Sequence, residues 1–285
     1  MPEKRGLLWV GVTPWSVLWR GGLVGSESRR TRRRVRRDDT AVQVGGAVVT
    51  MRVMTLRHWV LGRWGAVSAP WRVLAVGGLL ALLLTLLGAE VLDNVLEGEG
   101  VAGLDQPVLR FAVEHRSPGW TRAFVDATIL GSTVVLTVAA VLVSGFGLLR
   151  RRWVDAGLVA VAALGSGVLV VAGKSVVGRR RPPGVTQLVT EQTLAFPSGH
   201  AVGTSVFAVI VVSLVLAGGP RRSVRWMAVG VAAVVVLVVG ASRVYLGVHW
   251  VTDVLGGWLV GGAWATVCVT TASQLRLWRA QAAMS

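Results

Sequence analysis

The chain has 285 residues, of which 53% are hydrophobic and 15% charged, with a single cysteine, Cys268. About a quarter of an ordinary soluble domain is charged, so this balance excludes one, and a lone cysteine excludes an intramolecular disulfide or a Cys-based zinc site. The net charge of +16 does not call for nucleic acid: 22 of the 30 Lys and Arg fall in the first 72 residues and in segments 150–152, 221–225 and 276–279, all on the cytoplasmic side if the apolar runs alternate across a membrane.

Residues 1–69 carry little pattern. The run RRTRRRVRR, residues 29–37, is a block of like charge, expected to be disordered or to lie on anionic headgroups in the cytoplasm. No signal-peptide layout opens the chain. Met51 and Met54 stand just before the part that reads as a membrane protein and offer a second start.

The uncharged run 73–89 predicts the first membrane span, with Trp71 and Arg72 anchoring its inner end. Glu90, Asp93, Glu97, Glu99 and Asp105 follow, so the chain has emerged outside. Residues 93–122 read as a mixed loop. Within it, 105–115 is either a short interfacial helix with Val108, Phe111 and Ala112 on one face, or an exposed connector. Further spans are predicted over 127–149, 156–177, 200–217, 226–241 and 254–272. Six spans put both termini in the cytoplasm. The expected organisation is a basic segment 1–69, a six-helix domain 70–276 and a cytoplasmic tail 277–285.

Three polar blocks lie at the predicted outer ends of helices three to six. In KSVVGRRRP, residues 174–182, Lys174 and Arg181 are seven apart, about two turns if the helix persists to Pro182, so both project from one face. An Arg fork and a Lys point charge suit a doubly charged phosphate. Arg179 and Arg180 point elsewhere, toward headgroups. The competing reading is an ordinary basic juxtamembrane cluster, although positive charge is usually depleted on this side.

The second block is PSGH, residues 197–200, a turn feeding a helix. Unpaired N–H groups at a helix start attract anions. Ser198 can cap the helix and turn its hydroxyl to a phosphate oxygen, Gly199 lets backbone approach closely, and His200 can exchange a proton near neutral pH. Capping alone is the competing reading.

In the third block, SRVYLGVHWVTD at 242–253, His249 and Asp253 are i and i+4 and stack on one helical face. A carboxylate on one imidazole nitrogen fixes the tautomer and leaves the other as a nucleophile. Arg243 can neutralise phosphate charge. Asp253 merely satisfying His249 at a helix start is the bland alternative. One His and one Asp make a weak metal site, and none is expected.

Jointly the blocks supply a nucleophile, its orienter, a proton donor and an oxyanion clamp. In this order and spacing, K-x6-R-P, P-S-G-H and S-R-x5-H-x3-D resemble the three-part signature of the type-2 phosphatidic acid phosphatase superfamily. The resemblance implies an all-α, integral-membrane six-helix bundle with an acid phosphatase/vanadium haloperoxidase-like core. It implies hydrolysis without metal or cofactor, a phosphohistidine intermediate, and action on lipid phosphates at the extracytoplasmic face. In that scheme His249 attacks phosphorus, Asp253 holds its imidazole, and His200 protonates the leaving oxygen and then activates water. Lys174, Arg181, Ser198, Gly199 and Arg243 hold the phosphate. Undecaprenyl diphosphate is the favoured substrate. The alternatives are phosphatidylglycerophosphate, phosphatidate or another polyprenyl phosphate, and phosphoryl transfer to an acceptor other than water. A non-catalytic lipid-binding protein is disfavoured by the unbroken signature, and a soluble vanadate-dependent peroxidase by the six apolar spans.

Overall fold

A computed structural model describes residues 39–44, 47–52 and 68–283. The chain divides into two units, Met1–Ser68 and Ala69–Ser285. In the first, β1 (Asp39–Val44) pairs antiparallel with β2 (Ala47–Arg52), Val44 opposite Ala47. The sequence reading did not foresee this hairpin. Its signal is the β-branched run on either side of Gly45 and Gly46, a spacing that suits a two-residue hairpin connection. The basic block 29–37 lies outside the described residues.

The second unit is helical. Its elements are α1 (Ala69–Glu97), α2 (Asp105–Glu114), α3 (Pro118–Ile129), α4 (Thr133–Leu149), α5 (Trp153–Val177), α6 (Gly199–Ala217), α7 (Arg222–Tyr245) and α8 (Val251–Ala282). Among the described residues, six stretches are long and apolar enough to cross a membrane, α3 and α4 together forming one of them. The number and order of the predicted spans hold.

The helices outrun the apolar runs that marked them. α1 continues through Glu90 and Asp93 to Glu97, because carboxylates end a hydrophobic stretch without ending a helix. Residues 118–122, expected as loop, and 127–129, expected to begin the second span, both belong to α3, opened by Pro118 at its first position and Ser117 as N-cap, whose hydroxyl accepts from Trp120 N at 3.4 Å. Ser132 caps α4 in the same way through Val135 N at 3.3 Å.

α6 sits at the centre, packed against α4, α5, α7 and α8, while α8 also runs along α1. Val202, Val206 and Ile210 of α6 meet Val159 and Ala162 of α5 and Ala265 of α8. The outer surface is apolar too, with Leu79, Val134 and Leu164 exposed. Lipid is as apolar as leucine, so helix association here rests on close packing between small residues. Gly257 shows this: a Cβ there would stand 2.8 Å from Ala201 Cβ and 3.0 Å from the Ser198 carbonyl. Its absence lets α8 lie directly against the start of α6.

The end of α5, the start of α6, the end of α7 and the start of α8 share one end of the bundle, and α2 contacts α7 and α8 there. α2 forms, as the helix reading expected, and Val108 of its expected face packs against the cluster of Ala201, Val244 and Val254. Asp105 and Leu109 are buried, whereas Phe111 is 62% exposed. The arginine-rich turns lie at the opposite end, where Arg276 Nη2 pairs with Asp155 at 2.5 Å.

Candidate active site

α7 runs past the predicted end of its span and carries Ser242 and Arg243 within its last turn, both buried. Arg243 Nη1 donates to Thr128 Oγ1 of α3 at 2.9 Å, and Nη2 donates to the Glu191 carboxylate. Its Nε is buried without a partner.

The chain then turns, and the Arg243 carbonyl accepts the backbone N–H of Val248 and of His249. His249 therefore precedes α8, with Trp250 at the N-cap, and does not share a helical face with Asp253 as its spacing predicted. The pair still meets, Nδ1 to Asp253 Oδ2 at 3.3 Å. Asp253, at the third position of α8, also accepts the Trp250 N–H at 2.9 Å. A capping carboxylate thus doubles as the partner of the imidazole. This network assigns the proton to Nδ1 and the lone pair to Nε2, which lies 3.1 Å from Arg181 Nη1. Burial pushes the His249 pKa down to about 4, against the opposing pull of the Asp253 hydrogen bond, so the imidazole is neutral.

The first block is not a continuous helix. α5 stops at Val177, and Gly178 adopts φ 65° with its N–H on the Lys174 carbonyl, a left-handed helix end that glycine tolerates at least cost. Lys174 is thus the last-turn cation of α5, and Arg181 returns from the following coil. They converge through Thr193: Lys174 Nζ donates to its Oγ1 at 2.6 Å and Arg181 Nη2 at 3.0 Å. Arg181 Nη1 also holds the Val248 carbonyl at 2.6 Å, tying the first block to the third.

Arg179 does not point to headgroups. Its Nη1 donates to Asp253 Oδ1 at 2.6 Å and Nη2 to Asp105 Oδ2 at 2.5 Å. Arg180 is exposed, and its carbonyl accepts from Trp250 Nε1 at 3.0 Å.

The second block opens α6 as expected. Ser198 occupies the N-cap position, but its hydroxyl makes no capping bond and is buried without a partner, while its N–H donates to the Asp253 carbonyl at 3.1 Å. Gly199 and His200 form the first turn. A hydroxyl freed from capping, beside a helix N-terminus, is a donor aimed at an anion.

Sequence reasoning missed Glu191. It lies in the connection between α5 and α6, where its carboxylate bonds Arg243 and stands 3.6 Å from Arg181. Burial pushes this carboxyl up, but Arg243 and Arg181 outweigh it and hold it below the usual range. The signal available in the sequence was its isolation: Glu191 is the one carboxylate between Asp155 and Asp253. All eight residues singled out from the sequence as site residues lie at this end of the bundle. Hydrogen bonds cross-link the three blocks that carry them, and Thr193, Glu191, Arg179 and Asp105 complete the network.

Fold and site together define a helical membrane protein with a cationic cluster beside two histidines. The family model described as the PAP2 superfamily matches residues 155–276. Phosphatidylglycerophosphatase B of Bacillus subtilis (strain 168) is 32% identical over 173 residues, 60% of this chain and 84% of that protein. An undecaprenyl-diphosphatase of Sulfolobus acidocaldarius is 42% identical over 67 residues, 24% of this chain and 28% of that one. The crystal structure of the transmembrane PAP2-type phosphatidylglycerolphosphate phosphatase from Bacillus subtilis superposes with a TM-score of 0.61 at 29% identity, over 66% of this chain and 93% of that one. The chain belongs to the PAP2 superfamily and is a PAP2-type phosphatase of the multi-pass membrane kind.

Proposed function

We propose that this protein hydrolyses the phosphate or diphosphate of a membrane lipid, through a phosphohistidine formed on His249. The observation that carries this reading is the environment of one imidazole. Nδ1 is bound to Asp253 at 3.3 Å, and the lone-pair nitrogen Nε2 is 3.1 Å from a guanidinium that can bind a phosphate oxygen. The substrate phosphate takes the place of the Glu191 carboxylate among Arg181, Arg243 and Lys174, and gains the unpartnered Arg243 Nε and Ser198 hydroxyl. Arg181 then moves its N–H from Nε2 to a phosphate oxygen. His249 Nε2 attacks phosphorus in line, the P–O bond to the leaving group breaks, and His200 gives that oxygen its proton. The neutral His200 next takes a proton from water, whose oxygen attacks phosphorus and breaks the P–N bond. Fixed cations and donors supply the charge stabilisation that phosphoryl transfer needs.

An apolar cleft of about 690 Å³ between α4, α5 and α6 supports a lipid substrate. Leu136, Val170, Gly203 and Phe207 line it, and it reaches Gly199 beside the site. The hydrocarbon tail lies there with the phosphate at its polar end. The arginine-rich turns at the opposite end of the bundle favour a cytoplasmic position for that end and for both termini, so the site opens outside.

Undecaprenyl diphosphate is the substrate we favour, from the outward-facing site. Phosphatidylglycerophosphate is the second reading, supported by the longer match to the Bacillus phosphatase. Purified protein in detergent, offered a panel of lipid phosphates with His249→Ala as control, decides between them by phosphate release. Equal release by wild type and His249→Ala would overturn the reading altogether.

A further inference from the structure

Asp105 belongs to none of the three blocks, yet it is one of the most buried carboxylates of the helical unit, only 4% exposed. It opens α2, the short helix at the site end of the bundle. Its Oδ1 accepts from Thr252 N and Thr252 Oγ1, both at 3.0 Å, and its Oδ2 accepts from Thr252 Oγ1 at 2.7 Å and Arg179 Nη2 at 2.5 Å. The other arm of Arg179 reaches Asp253 Oδ1 at 2.6 Å and Thr252 Oγ1 at 2.7 Å. One guanidinium therefore lies between two buried carboxylates, with Trp250 packed 5.7 Å from it. Asp253 is left with Oδ2 for the imidazole.

A buried carboxylate without its cation, or a buried cation shared with only one carboxylate, would be a poor device here. Arg179 paired with Asp253 alone would cancel the negative charge that His249 needs as its imidazole becomes positive during attack. A second carboxylate on Arg179 restores that charge. It also fixes the guanidinium plane, so that Asp253 Oδ1 stays engaged and Oδ2 keeps its direction.

We propose that Asp105 is a positioning residue for phosphoryl transfer, acting through Arg179 on Asp253 and so on His249. This rests on the reading of His249 as nucleophile. Outer partners of a ligand or catalytic group typically change activity by roughly 10- to 100-fold when altered, and a loss of that size is expected in kcat for Asp105→Asn, with KM within about 2-fold of wild type. Asparagine keeps an oxygen for Thr252 while removing the charge and facing Arg179 with a donor. Formation of the phosphoenzyme slows in a rapid-quench experiment by the same factor.

The double variant separates positioning from simple anchoring of α2. In an Arg179→Gln background the path to Asp253 is already cut, so Asp105→Asn adds little further loss in kcat. Anchoring through Thr252 would persist there, and an equal further loss in that background overturns the proposal. An Asp105→Asn kcat within about 2-fold of wild type also overturns it. If Asp105→Asn does not fold, Asp105→Glu and Arg179→Lys carry the test, since a lysine offers a flexible point charge in place of the rigid two-armed fork that fixes both carboxylates. A kcat loss with KM kept then supports the relay, and wild-type kcat in both overturns it. Failure of the relay leaves wild-type phosphoenzyme formation and an inactive His249→Ala, whereas failure of the nucleophile reading removes the phosphoenzyme from the wild type itself.

Discussion

Glu191 accepts a hydrogen bond from Arg243 and stands 3.6 Å from Arg181, so a carboxylate of the protein occupies the cradle expected to hold phosphate. On the proposed reading, an anion of the chain and an anion of the substrate compete for the same guanidinium groups.

Glu191→Gln is therefore expected to strengthen binding of inorganic phosphate as a product inhibitor. The effect should be several-fold, the size of losing one partly exposed charged hydrogen bond at about 1 kcal/mol or more. Inhibition constants measured against lipid turnover check it. A weaker phosphate inhibition in the variant would show that Glu191 assists the phosphate instead of competing with it.

On the proposed reading, His249→Ala is expected to abolish turnover and any acid-labile phosphoenzyme, because among the described residues His249 is the imidazole whose Nδ1 is tied to Asp253. Wild-type activity is expected to persist in excess chelator, with Lys174, Arg181 and Arg243 supplying the positive charge on that reading. Labelling with a radioactive lipid phosphate followed by acid quench reads the first expectation, and activity after dialysis against chelator reads the second.

The depressed His249 pKa, about 4, sets a pH dependence. With neutral imidazole as the proposed nucleophile, competence is expected to be lost only as pH falls toward that value and not near the ordinary histidine pKa of about 6.5. The acid limb of kcat/KM is expected well below pH 6, and an acid limb at about 6.5 would contradict the neutral, Asp-bound imidazole. Stability follows the same window. Between about 6.5 and 4 the unfolded chain binds a proton that the folded one does not, so stability falls as pH drops through that range. Thermal unfolding in detergent at neutral pH and near pH 5 measures it.

Gly257→Val tests the packing that aligns the second and third blocks. Its side chain would meet Ala201 and the Ser198 carbonyl, both within 3.0 Å of the first added carbon. Overpacking of this kind costs about 1–3 kcal/mol. Thermal stability should fall, and activity should fall with it, because the displaced backbone is that of Ser198 beside His200.

Much of this could be read from residues alone. Long uncharged runs fixed six spans, since a helix in lipid must be apolar over its length, and alternating spans then brought Lys174, Ser198, Arg243 and His249 to one end. Their order and spacing matched the signature of the superfamily to which the chain belongs. The helix between Lys174 and Arg181 was misread because seven residues fit two turns as well as they fit a turn-and-return through Gly178, and sequence does not separate these. The start of α3 was missed because it falls within 93–122, a segment marked as loop by its charges, while its last residues were taken as the beginning of the second span.

The sequence by itself determined the number of spans, the end of the bundle toward which positive charge is biased, and the three polar blocks, because these depend on local composition and spacing. Only the tertiary structure decided which polar groups touch. Asp105 and Arg179 are 74 residues apart, as are Arg179 and Asp253, and Glu191 reaches Arg243 across 52. Hydrogen bonds of about 3 Å between distant segments exist only once the helices pack. That is why the contact of His249 with Arg181 and the place of Glu191 beside Arg243 were legible in the fold and silent in the chain.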